Sequence, residues 1–418
     1  MNLVLENNEL FGEISAISSK SHAHRALICA SLSDGVSKIK CDTLSADIEA
    51  TANCLIGLGA DIEYKDKTFT VKPIDIIKAK KTIDCGESGS TLRFLLPIIG
   101  ALGINISIKM HGRLPKRPLF PLDREMKKHG CDLILVSDTL KISGKLQAGD
   151  YEIEGNISSQ FISGLLFALP LIKGKNKIII KDKFESYSYV NLTREVLNNF
   201  SVNYEFENNI FILKNDVYKS ANLTVEGDWS NSAFWLCAGA LSKKGITVTN
   251  LNLNSVQGDK KVVEVLKEFG AEISINQNEV TVKNNNLSAI TVDASDIPDL
   301  VPIIALTATF ASGKTVIKNA QRLRIKESDR IKTVVELIRN LGGIIDETDD
   351  GMIITGASLN GGVVNSHNDH RIAMTCAIAS MICSRPVKLV DSEAVKKSYP
   401  NFFNDFKKLN GKYKEEVQ

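Results

Sequence analysis

The stretch "RIKESDR" (324–330) places Arg324, Lys326, Glu327, Asp329 and Arg330 within seven positions, at the entrance of a segment with helical apolar periodicity. Arg and Lys grip carboxylates and phosphates through charge-assisted hydrogen bonds. A carboxylate held among them is placed to give or take a proton. The competing reading is a solvated helix face with ion pairs three or four residues apart. The distribution of arginine favours the first. The chain has 12 Arg against 39 Lys, and eight of the Arg stand in irregular motifs: Arg25, Arg93, Arg113, Arg117, Arg322, Arg324, Arg330 and Arg371. Scarce Arg placed outside the periodic scaffold points to small anionic ligands.

Those motifs share a design. "SSKSHAHRALICASL" (18–32) sets Lys20, Ser21 and Arg25 at the mouth of an Ala/Leu-rich helix. "DCGESGSTLRFLLPIIG" (84–100) runs a Gly/Ser turn, with Gly86, Gly89, Ser90 and Thr91, into a buried helix with Arg93 one turn in. "HGRLPKRPLFPLD" (111–123) is a proline-stiffened loop offering Arg113, Lys116 and Arg117. "GNISSQFISGLLFALPLI" (155–172) places the neutral donors Ser158, Ser159 and Gln160 before another apolar helix. "DASDIPDLVPIIALTATFASG" (293–313) holds Asp296 and Asp299 before an almost wholly apolar one, where Asp299 reads as an N-terminal cap or as a poised base. "SHNDHRIAMTCAIASMI" (366–382) leads with Asp369, His370 and Arg371. Helix N-termini carry partial positive charge and unpaired N–H groups, so several of them converging would trap a polyanion. Lys326 and Arg330 are expected on one helix face with Glu327 in reach of both.

The elements that must position these residues form a repeat. An apolar-periodic helix, commonly a glycine, and a polar-tipped hairpin recur with Gly59, Gly130, Ser201, Gly270 and Gly342 in equivalent places, at steps of 71, 71, 69 and 72 residues. The glycine fits a left-handed helix C-cap. A sixth helix, "NFFNDFKKLNGKYKEEVQ", carries Gly411 in the same place but has no hairpin after it; a hairpin without a helix, "LVLENNELFGEI", opens the chain. The N-terminal hairpin is therefore expected to complete the sixth unit. Six α/β units of about seventy residues divide into two domains of three. One is residues 20–226, inserted into the other, which combines 1–19 with 227–418. The ligand site is expected in the cleft between them.

Composition bounds the function. A net charge of +2 gives no whole-surface attraction for nucleic acid or membrane, and no basic stripe interleaves with aromatics. No apolar run reaches the length of a membrane span, and "MNLVLENNEL" reads as neither a secretory signal nor a transit peptide, which implies a cytoplasmic protein. The eight cysteines are scattered without a C-x-x-C pair, so reduced thiols are expected, and the pairs His22/His24 and His367/His370 lack a third ligand at zinc spacing. "ASGKT" (311–315) mimics the end of a phosphate-binding P-loop, but Ala308 stands where its first glycine belongs. No G-x-G-x-x-G follows a strand, so neither ATP nor NAD is expected.

Taken in order, "SKSHAHRAL", "GESGSTLRFL", "KRPL", "GNISSQF", "IPDLVP", "RIKESDR", "NDHRIAM" and "KKSYPNFF" closely resemble the 5-enolpyruvylshikimate-3-phosphate synthase family over residues 18–403. The resemblance implies two similar domains of the inside-out α/β barrel type, each of three α/β units. It implies transfer of the enolpyruvyl group of phosphoenolpyruvate to the 5-hydroxyl of shikimate 3-phosphate with release of phosphate, in the shikimate pathway to chorismate and the aromatic amino acids. It implies no metal and no organic cofactor; the chain itself is expected to be a monomer. Shikimate 3-phosphate would be held by Ser21, Arg25, Ser158, Ser159, Ser186 and Asp299, helped by Gln160 and Lys326. Phosphoenolpyruvate would be held by Lys20, Gly89, Arg117, Arg330, Arg371 and Lys397, with Gln160 beside it. Glu327 is the expected acid and Asp299 the expected base, with Lys20 assisting either. The sequence departs from the common family pattern at Glu87, Phe94 and Arg322 and in "ISSKS", all on the phosphoenolpyruvate side.

Two other functions remain in competition. The sister transferase acting on UDP-N-acetylglucosamine carries a reactive Cys in the loop matching 111–123, where this chain has none. A non-catalytic anion-binding repeat protein would keep the cations but would not need Asp299 and Glu327 among them.

Overall fold

The apolar pattern sorts the helices into two kinds. The computed structural model describes residues 1–416 and contains twelve α-helices among them. They are α1 (Lys20–Leu32), α2 (Ala46–Gly57), α3 (Gly89–Leu102), α4 (Leu122–Lys128), α5 (Ser159–Ala168) and α6 (Tyr187–Asn199), then α7 (Trp229–Leu241), α8 (Val262–Phe269), α9 (Val301–Phe310), α10 (Arg330–Asn340), α11 (His370–Ala379) and α12 (Phe402–Lys408). The helices α3, α5, α7, α9 and α11 are apolar nearly all round and buried nearly all round. By contrast, α8 buries only the stripe Val262, Val265, Leu266 and Phe269, the spacing of one helix face.

Each repeat is strand, helix, strand, helix, hairpin. The strand Thr82–Asp84 leads through α3 to a parallel strand, Ile106–Lys109, and then through α4 to the hairpin Cys131–Val136/Thr139–Gly144. The hairpin's second strand pairs antiparallel with Ile106–Lys109, so the spatial order is first, second, fourth, third. All six four-stranded sheets among the described residues keep that order. The recurring position after the second helix has positive φ at Gly59 (109°), Gly130 (97°), Gly270 (97°) and Gly342 (86°), and also at Ser201 (58°). Gly411 departs from the expectation. Asn410, with φ 74°, makes the left-handed turn there, and Gly411 is needed because a Cβ would stand 2.3 Å from the Phe406 ring.

The chain forms two compact units, Met1–Ser19 with the chain from Glu226 on, and Lys20–Val225. Each has its own apolar core. In the first, α7, α9 and α11 pack on one another; in the second, α3 packs on α5, and α1 on α2 and α6. Two sheets borrow their opening strand from elsewhere in the sequence. The sheet served by α1 opens with Asn222–Thr224, parallel to Ser37–Lys40. The sheet served by α7 opens with Gly12–Ser15, parallel to Ile246–Thr249.

The expected N-terminal hairpin does not exist, because its two strands join different sheets. Leu3–Leu5 lies between Val387–Val390 and Tyr413–Glu415, antiparallel to both, and completes the sheet of α11 and α12. A strand does therefore follow the sixth helix, and it pairs with the N-terminus. Leu3 and Leu5 are fully buried and need a neighbour on each edge. Between the two strands, Asn7 is exposed and Leu10 is buried.

Candidate active site

In the unit containing both chain termini, the predicted residues converge on Arg330. This side chain is 1% exposed and opens α10. Its Nη1 donates to Asp299 Oδ1 at 2.8 Å, its Nη2 to Glu327 Oε2 at 2.7 Å, and its Nε to Asp369 Oδ2 at 2.8 Å. Asp299 also receives Arg371 Nη2 at 3.2 Å on Oδ2, and Lys326 Nζ stands 3.5 Å from Oδ1. Three cations thus face three carboxylates. Ser230 Oγ accepts from Arg371 Nη2 at 2.7 Å, and Lys397 Nζ donates to the carbonyl of Asn368, beside Asp369, at 2.6 Å.

The electrostatics follow from the pairing. Burial alone would raise the Asp299 carboxyl, but Arg371, Lys326 and Arg330 overcome it and hold the group well below the usual carboxylate range. Asp369 is lowered against the same burial by Arg330 and His370. Burial pulls the Lys326 ammonium down, partly offset by Asp299. Arg330, despite burial, is pushed up by Asp369, Glu327 and Asp299.

Two expectations about this cluster change. Lys326 and Glu327 do not lie on a helix face with Arg330. They occupy the link between the short 3₁₀ turn Gln321–Ile325 and α10, and Asp329 is the cap, accepting from Lys332 N at 3.2 Å. Asp299 is not the N-cap residue of α9, a place Leu300 takes; it sits inside the 3₁₀ turn Pro298–Leu300, which leads into α9. That turn leaves its carboxylate to the cations.

In the other unit the predicted residues start from helix ends, and their named partners are mostly neutral. Lys20, the first residue of α1, pairs with Asp47 Oδ2 at 2.7 Å. Arg25 is 2% exposed and donates to Thr193 Oγ1 at 2.8 Å, to the Tyr189 carbonyl at 3.0 Å and to the Ser21 carbonyl at 2.6 Å. Burial pushes its guanidinium down to about 10, still charged near neutrality. Ser186 is buried and precedes α6 with φ 51°, a left-handed conformation that serine adopts at a cost and that clusters at functional positions. Ser158 caps α5, accepting from Gln160 N at 3.3 Å, and Ser159 is the first helical residue. Gln160 bridges, accepting from Arg93 Nη1 at 2.7 Å and donating to Ser90 Oγ at 2.9 Å. Arg117 lies over Gly89, where a Cβ would stand 2.8 Å from its Nη1.

Three residues the sequence reading left without a role belong to these arrangements. Asp369 is the buried anchor of Arg330, Ser230 holds Arg371, and Asp47 holds Lys20. Asp369 was visible in "NDHR". Ser230 and Asp47 carried no local signal, because their partners lie 141 and 27 residues away.

The EPSP synthase (3-phosphoshikimate 1-carboxyvinyltransferase) family model matches residues 4–406. A 3-phosphoshikimate 1-carboxyvinyltransferase of Clostridium kluyveri is 43% identical over 413 residues, covering 97% of both chains. The one of Clostridioides difficile is 44% identical over 435 residues, covering 98% of this chain and 97% of that one. A solved EPSP synthase from Acinetobacter baumannii shares the fold with a TM-score of 0.82 at 24% identity, each chain covered to 99%. The whole-chain match, the shared fold and the relatives above 40% identity agree: the chain belongs to the EPSP synthase family, the 3-phosphoshikimate 1-carboxyvinyltransferases.

Proposed function

We propose that the chain moves the enolpyruvyl group of phosphoenolpyruvate to the 5-hydroxyl of shikimate 3-phosphate with the residues described above, and that the two sets serve one reaction. The carrying observation is the Asp299–Arg330–Glu327 arrangement, carboxylates held at hydrogen-bond distance among cations. Both substrates are phosphorylated carboxylates. Each charge-assisted contact to them contributes roughly 1.5–3 kcal/mol.

Shikimate 3-phosphate is assigned to Ser21, Arg25, Ser158, Ser159, Gln160, Ser186, Asp299 and Lys326. Phosphoenolpyruvate is assigned to Lys20, Gly89, Arg117, Gln160, Arg330, Arg371 and Lys397. The 5-hydroxyl oxygen adds to C2 of phosphoenolpyruvate while C3 takes a proton. The hydroxyl proton goes to a base, leaving a tetrahedral phosphate ketal. Loss of phosphate and of a methyl proton then restores the double bond. Glu327 serves as the acid at C3, Asp299 accepts the hydroxyl proton, and Lys20 assists.

Asp299 is a weak base while Arg371, Lys326 and Arg330 lie against it. Substrate anions that draw those cations away raise its basicity, so binding and base activation are coupled. The reading includes a cytoplasmic monomer; for the location it draws on a net charge of +2, too small to attract the whole surface to a membrane, and on the lack, among the described residues, of a helix long and apolar enough to cross one.

The test is phosphate release from phosphoenolpyruvate with shikimate 3-phosphate or UDP-N-acetylglucosamine as acceptor. Release with shikimate 3-phosphate alone supports the reading. Release with the sugar nucleotide alone, or with neither, overturns it.

A further inference from the structure

Helix α1 carries two adjacent buried polar side chains that lead in different directions. Arg25 reaches α6. His24 turns instead toward α2 and α3, and its Nδ1 lies 2.6 Å from Thr51 Oγ1. Thr51 Oγ1 lies 2.6 Å from Thr91 Oγ1, which donates to Ser88 Oγ at 2.7 Å. Ser88 caps α3 by accepting the Thr91 amide at 3.3 Å, and Gly89 follows as the first helical residue. All four side chains belong to residues no more than 1% exposed.

A hydroxyl has one proton to give, which fixes the order of the chain. Thr91 gives its proton to Ser88 and accepts from Thr51, and Thr51 accepts from His24, so Nδ1 carries the imidazole proton. The ring stays neutral because burial, then Lys20 and Arg25, hold it well below its usual range. Its Nε2 has no hydrogen-bond partner among the described residues.

The chain also touches the helix that holds Lys20. Thr51 stands one turn beyond Asp47 on α2, so the two share a face. Asp47 fixes Lys20 at 2.7 Å, and Thr51 fixes the cap beneath Gly89 through Thr91. Methyl groups would fill the same space. A directional chain of hydroxyls adds orientation more than net stability.

We propose that His24 is a positioning residue which, through Thr51, Thr91 and Ser88, sets the glycine turn at Gly89 relative to Lys20 and so presets the phosphoenolpyruvate subsite. This rests on the assignment of Lys20 and Gly89 to that substrate.

Steady-state rates against each substrate test it in Thr51→Val, Thr51→Ser, His24→Leu and the double variant that combines His24→Leu with Thr51→Val. Thr51→Val and His24→Leu are each expected to raise KM for phosphoenolpyruvate about 10-fold, with kcat and KM for shikimate 3-phosphate within about twofold. The double variant is expected to match the worse single one, and Thr51→Ser to match the wild type. Unchanged KM for phosphoenolpyruvate in Thr51→Val overturns the proposal. So does an equal rise in both KM values, or a fall in kcat alone, which a merely structural role would give. Should His24→Leu not fold, the Thr51 pair decides. Lys20→Met separates the two readings. If its KM for phosphoenolpyruvate is also unmoved, the substrate assignment fails; if it rises while Thr51→Val is unmoved, only the positioning role fails.

Discussion

The two units solve the same packing problem with the same repeat but equip their helix entrances differently. Around Arg330, three cations meet three carboxylates: Asp299, Glu327 and Asp369 answer Arg330, Lys326 and Arg371. On the other unit Lys20 also meets a carboxylate, Asp47, but Arg25 donates to a threonine and two backbone carbonyls. A charge-balanced cluster can pass protons and exchange partners, and it takes up an anion as its cations turn from their carboxylates. Arg25, held by neutral acceptors, keeps its charge for a phosphate. The difference points to a division of labour in proton handling: the two carboxylates proposed as acid and base lie on one unit, while the cations assigned to the substrates are shared by both.

The largest effect that would break this contrast is at Arg330. Arg330→Met leaves Asp299, Glu327 and Asp369 without their common cation. It should cost about 3–5 kcal/mol of stability in denaturant unfolding and abolish turnover. A loss under about 1 kcal/mol would mean the cluster does not depend on its centre.

Asp299→Asn should keep the fold yet lower kcat about 10²–10⁴-fold, the usual worth of a positioned acid or base. It also has a pH signature. Asp299 is depressed in the folded state, so its stabilisation is present above the ordinary carboxylate range near 4 and is lost as pH falls through the folded value. The acid limb of the unfolding curve should flatten in the variant. An unchanged limb would show that Asp299 is not a carboxylate held below its usual range.

On the other unit the effects should be smaller and should appear in KM. Arg25→Lys loses the planar contacts to Thr193 and Tyr189 and should raise KM for shikimate 3-phosphate about 10-fold, with less change in kcat. Ser158→Ala removes a cap and should cost about 0.5–2 kcal/mol with a several-fold rise in the same KM. A kcat effect at Arg25 as large as that at Asp299 would erase the division between the units.

Much of this was legible in the chain because its signals are local or periodic. The seventy-residue step carries through to six sheets of one order, and even Ser201 takes the left-handed conformation expected of its glycine counterparts. The motifs at helix entrances also brought Asp299, Glu327 and Arg330 together. What could not be read were the long-range exchanges. Nothing in "LVLENNELFGEI" says that Leu3–Leu5 and Gly12–Ser15 pair with different sheets, because both satisfy the same alternation. Nor could His24, Thr51 and Thr91 be linked from three separate helices. Hydroxyls on buried faces look like ordinary helix filling until their partners are known.

The most direct test of the division of labour is exchange of solvent hydrogen into the methylene of phosphoenolpyruvate, in the presence of shikimate 3-phosphate. Wild type and Glu327→Gln should be compared, with the affinity of both substrates measured alongside. The account predicts that exchange is lost in Glu327→Gln while affinity stays within a few-fold. Undiminished exchange would remove Glu327 as the acid and contradict the assignment of proton handling to the Arg330 cluster.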